Sequence, residues 1–169
     1  MRLSVRQAVP DDGAALARIH LSAWRSAYRG LIADGLLYGS WAEGRARWWA
    51  SAVAGKDPPL VYVAGDEADL LGFCATDAPS SDYDEDGTVA KIMALNVRAD
   101  TWRSGVGTAL MDETLAAFRR DGRRSASLWV LEGNDRALAF YGRFGFEPDG
   151  STDTLDAGVA AVFRMRLSL

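Results

Sequence analysis

The sequence predicts an α/β (α+β) fold in which one mixed sheet carries helices on both faces. Three observations lead there. A period-two stretch opens the chain, an aromatic stripe at helical spacing follows it, and residues 60–76 read as two strands joined by a short polar turn. Strands and helices then alternate to the C-terminus. Hairpins followed by strand–helix–strand crossovers build a mixed sheet that is covered on both sides.

Taken in order, residues 2–9 (RLSVRQAV) alternate apolar and polar side chains, as a half-buried strand does. Pro10 stops that strand, and Asp11-Asp12 supply an N-cap for a helix. Its apolar-aromatic face is Leu16, Ile19, His20, Ala23, Trp24, Ala27 and Tyr28, and it runs to Gly30. A second helical stretch covers residues 34–38. A third runs from Trp41 to Ala54 and is closed by Gly55 and Pro58-Pro59. Residues 60–64 and 70–76 form a hairpin, and residues 77–87, rich in Asp, Ser, Pro and Gly, form a surface loop. Residues 88–97 make the third strand of this series. After a Gly-containing turn, a helix over 105–121 stops at Gly122. Residues 125–131 read as a strand, 135–144 as a helix, and Gly145-Phe146 as a turn into a further strand, with residues 158–167 as the last. There is no internal repeat, linker or low-complexity tract, so a single domain over residues 1–169 is expected.

Composition narrows the function. The chain has 169 residues, 49% hydrophobic and 25% charged, the profile of a soluble globular protein. A net charge of −4 argues against a broad basic footprint, so no nucleic-acid partner is expected. One cysteine, Cys74, cannot form an intramolecular disulfide, and one cysteine with one histidine makes a structural zinc site improbable. The N-terminus lacks the apolar core of roughly 7–15 residues that a signal peptide needs, and no run approaches the roughly 18 apolar residues of a membrane span. No metal, no membrane contact and a cytoplasmic location are therefore expected.

The most informative stretch is Ala94-Leu95-Asn96-Val97 followed by Trp102-Arg103-Ser104-Gly105-Val106-Gly107-Thr108. An apolar strand runs into a turn with two glycines, and an apolar-periodic helix starts at once. The free N–H groups of a first helical turn and its dipole favour an anion, glycine lets the backbone approach closely, and Arg103 can add a charge-assisted contact. A Walker loop needs Lys-Ser/Thr after the second glycine, but Thr108-Ala109 stand there. The Rossmann fingerprint needs a third glycine where Leu110 stands, and an acidic residue near position 127, which is Ser127. An acyl-CoA diphosphate site and a close-packed turn without ligand remain open on this stretch alone.

Downstream, Leu128-Trp129-Val130-Leu131-Glu132-Gly133-Asn134 leads into Ala137, Phe140-Tyr141 and Gly145-Phe146. With the earlier turn, in this order and separation, the chain resembles the GNAT superfamily of acyl-CoA N-acyltransferases. His20 to Leu31 also resembles a common bacterial branch of it. The resemblance spans most of the chain and implies a mixed, mostly antiparallel central sheet with helices on both faces. The family's phosphate turn reads Gln/Arg-x-x-Gly-x-Gly/Ala. Gly105 and Gly107 match it, whereas Trp102 stands in place of Gln or Arg. The resemblance implies that the backbone of Arg103, Ser104, Gly105, Val106, Gly107 and Thr108 binds the diphosphate of acetyl-CoA. It further implies that Leu95 and Val97 pair with the pantetheine arm, that Asn134 contacts the cofactor and that Tyr141 is the general acid.

Acyl transfer to an amine needs a neutral amine, donors for the oxyanion (about 3 kcal/mol each in acyl-transfer enzymes) and a protonated leaving thiol. A Tyr hydroxyl of pKa near 10 can protonate a thiolate whose conjugate acid lies near 8.5. The base is open: Lys91 or Met93 stands on the strand before the phosphate turn, where many relatives carry Glu. Glu132, His20 and a water chain past the Asp82-Tyr83-Asp84-Glu85-Asp86 loop are alternatives to which the residues commit no role. Trp24 and Tyr28, one turn apart, are candidate walls of the acceptor pocket, whereas Trp41, Trp48 and Trp49 read mainly as core. The acidic run at 82–86 would draw a cationic amine if it faced the site, or be a solvated loop. Cys74, inside a strand, reads as buried and inert.

The expectation is an N-acetyltransferase that moves an acetyl group from acetyl-CoA to a primary amine of a small molecule or peptide by direct transfer in a ternary complex. The alternative is a non-catalytic acyl-CoA sensor or interaction module on the same fold; a Rossmann-type nucleotide domain is poorer. The chain is expected to be a monomer or a homodimer, with the strand near 159–167 a candidate for pairing across a dimer.

Overall fold

The computed structural model describes residues 3–56, 58–66, 69–76, 87–156 and 158–169. Strand β1 is Ser4–Gln7, and a single 3₁₀ turn over Pro10–Asp12 leads into α1 (Gly13–Ala27). Asp12 holds the N-cap position of α1, but its side chain makes no cap bond. Its carboxylate accepts the Val9 amide at 2.8 Å and both Arg6 guanidinium N–H groups at 2.7 and 2.8 Å. Helices α2 (Asp34–Leu37) and α3 (Ser40–Ala52) follow, then β2 (Leu60–Gly65), β3 (Leu70–Thr76) and β4 (Val89–Val97). The chain continues with α4 (Val106–Arg120), β5 (Ser125–Leu131), α5 (Asp135–Arg143), β6 (Glu147–Leu155) and β7 (Ala160–Ser168).

The seven strands form one sheet in the order β1-β2-β3-β4-β5-β7-β6, antiparallel throughout except for β4 and β5, which run parallel. The mixed, mostly antiparallel sheet expected from the sequence is present. β2 and β3 read as nearly continuous apolar runs because both faces of the sheet are covered. Tyr62, Ala64 and Cys74 pack under α4 with Leu110, Met111 and Phe118, while Val61, Val63, Phe73 and Ala75 pack under α1 and α3 with Leu16, Ile19 and Trp49.

Two arrangements differ from the sequence reading. The strands flanking α5 are not neighbours, because β7 inserts between β5 and β6. For the same reason β7 is paired on both sides and has no free edge for a second chain, so the suggestion that this strand pairs across a dimer is overturned. The sheet's edges are β1 and β6.

One irregularity shapes the molecule. β4 and β5 pair only over Val89–Ser125, Ala90–Ala126 and Lys91–Ser127, although β4 continues to Val97 and β5 to Leu131. At the point of parting, Thr76 pairs with Ile92 and Ala75 with Ala94, leaving Met93 as an extra residue. Such a bulge bends its strand, and here it turns β4 away from β5. The sheet is split along that line.

Candidate functional site

The turn after β4 is braced by the protein's own contacts. Arg98 donates its N–H to the Leu71 carbonyl at 2.8 Å, and its guanidinium pairs with Asp100 at 2.6 Å and with Asp69. Because Arg98 points its amide at β3, alternation along the ladder aims the peptide groups of Asn96 and Ala94 at β3 as well. Those of Val97 and Leu95 face the split. Trp102 folds back so that its indole Nε1 donates to the Val97 carbonyl at 2.8 Å, and the Arg136 guanidinium lies 3.2 Å over its ring. Trp102 thus ties the turn to β4 and to α5.

Arg103 at φ 64 and Gly105 at φ 90 alternate with ordinary residues, which curls the backbone into a concave run of amides. The first bond of the helix ladder is Ala109 N–H to the Gly105 carbonyl at 2.9 Å. The amides of Gly105, Val106, Gly107 and Thr108 have no backbone partner among the described residues and point out of the helix end. Ser104 differs from its neighbours, since its N–H and its hydroxyl both donate to the Thr101 carbonyl. A Cβ on Gly107 would stand 3.4 Å from the Phe140 ring, so α4 begins in direct contact with α5. Asn134 caps α5 by accepting the Ala137 amide at 3.2 Å.

Beside this cradle a cavity of about 290 Å³ opens into the split. From one face of the sheet come His20, Trp24 and Tyr28 of α1 and its end, with Arg45, Trp48 and Trp49 of α3. From the sheet come β4 residues 92–96 with Leu128 and Trp129 of β5, and Tyr141 reaches it from α5. Phe140 meets the cradle and Tyr141 the cavity, so adjacent residues of one helix join the two halves.

Burial controls the electrostatics. Desolvation raises the Tyr141 hydroxyl above its ordinary value, with the neighbouring Cys74 and Tyr28 adding to the shift, and it raises Tyr28 as well. Desolvation, helped by the Arg45 charge, holds His20 neutral down to about 3. The Cys74 thiol, fully buried, is pushed up to about 12 by burial. Arg45 donates to Asp156 at 2.7 Å, as does the Trp41 indole at 3.0 Å, and its guanidinium lies 4.6 Å from the Trp24 ring. No aspartate or glutamate lines the cavity among the described residues. Among the described residues, His20 Nδ1 and Nε2, Arg45 Nε and Asn96 Nδ2 make no hydrogen bond. Each such buried orphan typically costs about 1–3 kcal/mol.

The acetyltransferase (GNAT) family model matches residues 14–146, and the chain belongs to that family. It is 33% identical over 102 residues to the uncharacterized N-acetyltransferase MJ1207 of Methanocaldococcus jannaschii, covering 60% of this chain and 45% of that protein. With the uncharacterized N-acetyltransferase YuaI of Bacillus subtilis it shares 27% over 141 residues, 82% of this chain and 77% of that one. A mycothiol acetyltransferase of Geodermatophilus obscurus is 34% identical over 90 residues, 53% of this chain and 29% of the relative. The chain thus spans less than half the length of the first and third of these relatives. Among solved structures, the PaiA N-acetyltransferase from Thermoplasma acidophilum, in complex with coenzyme A, matches with a TM-score of 0.80 at 17% identity over 100% of both chains. A GCN5-related N-acetyltransferase from Rhodopseudomonas palustris matches at 0.77 and 19%, over 100% of this chain and 97% of that one. These two likenesses show a shared fold. No helix among the described residues is long and apolar enough to cross a membrane, and no group of three His, Cys, Asp or Glu is placed to hold a metal ion.

Of the residues singled out from sequence, Trp24, Tyr28, Leu95 and Tyr141 meet at the cavity, while Arg103, Gly105, Val106, Gly107 and Thr108 form the cradle. Glu132 is exposed beyond β5 and does not line the cavity. The acidic run from Asp82 to Asp86 lies outside the described residues. Sequence reasoning missed Arg45, Asn96 and Trp129. Only Asn96 carried a signal, as a polar residue between Leu95 and Val97 in an apolar strand.

Proposed function

We propose that the chain moves an acetyl group from acetyl-CoA to a primary amine of a small molecule or peptide, by direct transfer with both substrates bound. The observation that carries this reading is the cavity through the split sheet, where Tyr141 and the α1–α3 side chains meet at the end of a strand that leads to an anion cradle. Acetyl-CoA supplies an activated thioester. The unpartnered amides of residues 105–108, with the backbone and side chain of Arg103, are suited to its diphosphate. The outward peptide groups of Leu95 and Val97 suit its amide-bearing arm, although the Val97 carbonyl already accepts from Trp102. Asn134, whose Oδ1 is used in capping, keeps its Nδ2 donor for the same ligand. Gly105 at positive φ fits such a ligand, since a side chain there would strain the turn that aims these amides outward.

Tyr141, kept protonated by burial, is suited to give its hydroxyl proton to the departing sulfur as the new C–N bond forms and the C–S bond breaks, and the proton shed by the acylated nitrogen restores its hydroxyl. No base is assigned. The acceptor amine loses its proton through desolvation among Trp24, Trp49 and Trp129 and beside the Arg45 charge, both of which disfavour an ammonium. Thiol release from acetyl-CoA across an amine panel tests the reading. Tyr141→Phe is expected to lower turnover about 100-fold or more while coenzyme A affinity stays within about twofold. Unchanged turnover removes the acid assignment.

A further inference from the structure

Every buried side-chain polar atom without a hydrogen bond among the described residues belongs to His20, Arg45 or Asn96, and all three line the same cavity. His20 and Asn96 are 1% and 5% exposed, so bulk water does not complete them. Their chemistry is lopsided. Arg45 Nε and Asn96 Nδ2 only donate, and a neutral imidazole offers one donor and one acceptor, which makes three donors against one acceptor.

In the cavity wall, the rings of Trp24 and Trp129 already carry a cation of the protein's own. The Arg45 guanidinium lies 4.6 Å from the centroid of Trp24 and 5.8 Å from that of Trp41, and Arg164 lies 5.9 Å from that of Trp129. These positions over the rings are therefore held by the protein's own cations, and no carboxylate lines the cavity among the described residues. Asp156 engages one terminal nitrogen of Arg45 and leaves Nε unmet. Asn96 sits on the α1 face of β4 opposite Phe73, and its terminal torsion is a soft one that turns Nδ2 toward a ligand. A volume of about 290 Å³ lies at the small end of ligand pockets, the size of an amino acid or a similar metabolite.

We propose that the acceptor is a small amine bearing a carboxylate beside an apolar or aromatic group, with Asn96 Nδ2 and Arg45 Nε receiving the carboxylate oxygens and His20 completing the polar wall. This rests on the acyl-transfer reading and names its substrate class.

The test needs no turnover. N-acetyl-L-phenylalanine and N-acetylphenethylamine, which differ by the carboxylate, are titrated calorimetrically into the free protein. The carboxylate is expected to bind about tenfold tighter or more, and Asn96→Leu to bring the two affinities within about threefold. Should that variant fail to melt cooperatively, Asn96→Asp serves in its place and is expected to weaken the carboxylate ligand about tenfold. Equal affinities, a preference for the carboxylate-free compound, binding of neither, or an unchanged preference in the variants overturns the proposal. Coenzyme A titrated into the same protein reports the cradle separately. Its binding with the acceptor preference absent leaves acyl transfer standing, whereas no heat from coenzyme A removes the acyl-transfer reading itself.

Discussion

Gly105 and Gly107, two residues apart in one motif, do different physical work. Gly105 has φ 90 and open space around it, so its requirement is conformational. Gly105→Ala is expected to cost about 1–2 kcal/mol, the left-handed penalty of an L residue. At Gly107 a methyl group would make ordinary contact with Phe140 inside the first helical turn. Gly107→Ala is expected to be neutral or to stabilise by up to about 1 kcal/mol, through helix propensity. Urea midpoints of the two variants check the contrast, and equal losses would refute it. His20 carries a second prediction. Its folded pKa is depressed to about 3, so below its ordinary value near 6.5 the unfolded chain takes a proton that the folded chain refuses. Its contribution is complete above about pH 6.5 and falls as pH drops toward 3, at no more than about 1.4 kcal/mol per pH unit. His20→Phe, which keeps the stack on Trp24, is expected to lose stability less steeply than the parent between pH 6.5 and 4.5; parallel curves would contradict this.

At the scale of elements, the cradle depends on how closely α4 lies on the sheet. A Cβ on Gly72 of β3 would stand 2.9 Å from Val106 Cγ1, 3.0 Å from the Asn96 carbonyl and 3.1 Å from Leu110 Cδ1. Gly72→Ala is therefore expected to push α4 outward, costing about 1–3 kcal/mol by overpacking and weakening coenzyme A binding as the amides of residues 105–108 shift. Retained affinity at reduced stability would show that the cradle is set locally. Element boundaries were largely legible beforehand because hydrophobic periodicity and Gly/Pro punctuation are local signals. The strand over 125–131 is observed as read, and the helix after Gly105 begins one residue on. Asp12 holds the N-cap position of α1 as the sequence indicates, but its carboxylate makes no cap bond and takes Arg6 and the Val9 amide instead, partners that spacing alone does not reveal.

Across the whole molecule, the site is a property of the split sheet. With no carboxylate on the cavity wall among the described residues and His20 neutral above about pH 3, the rate should follow the amine's own ionisation. The kcat/KM for the acceptor is expected to rise about tenfold per pH unit between pH 6.5 and 8.5, without a break near 6.5. A plateau set in by pH 7 would reveal a base on the protein.

The chain's own order of residues determined the helices, the strands, the glycine turn and the block around Tyr141, because each is written in neighbours a few positions apart. Tertiary structure alone decided that β7 inserts between β5 and β6, that Met93 bulges where β4 leaves β5, and that Arg45 and Asn96 line one cavity with Tyr141. These depend on strand pairing and on packing between segments some 50 residues apart. A local pattern states which face of an element is apolar, but not what comes to rest against it.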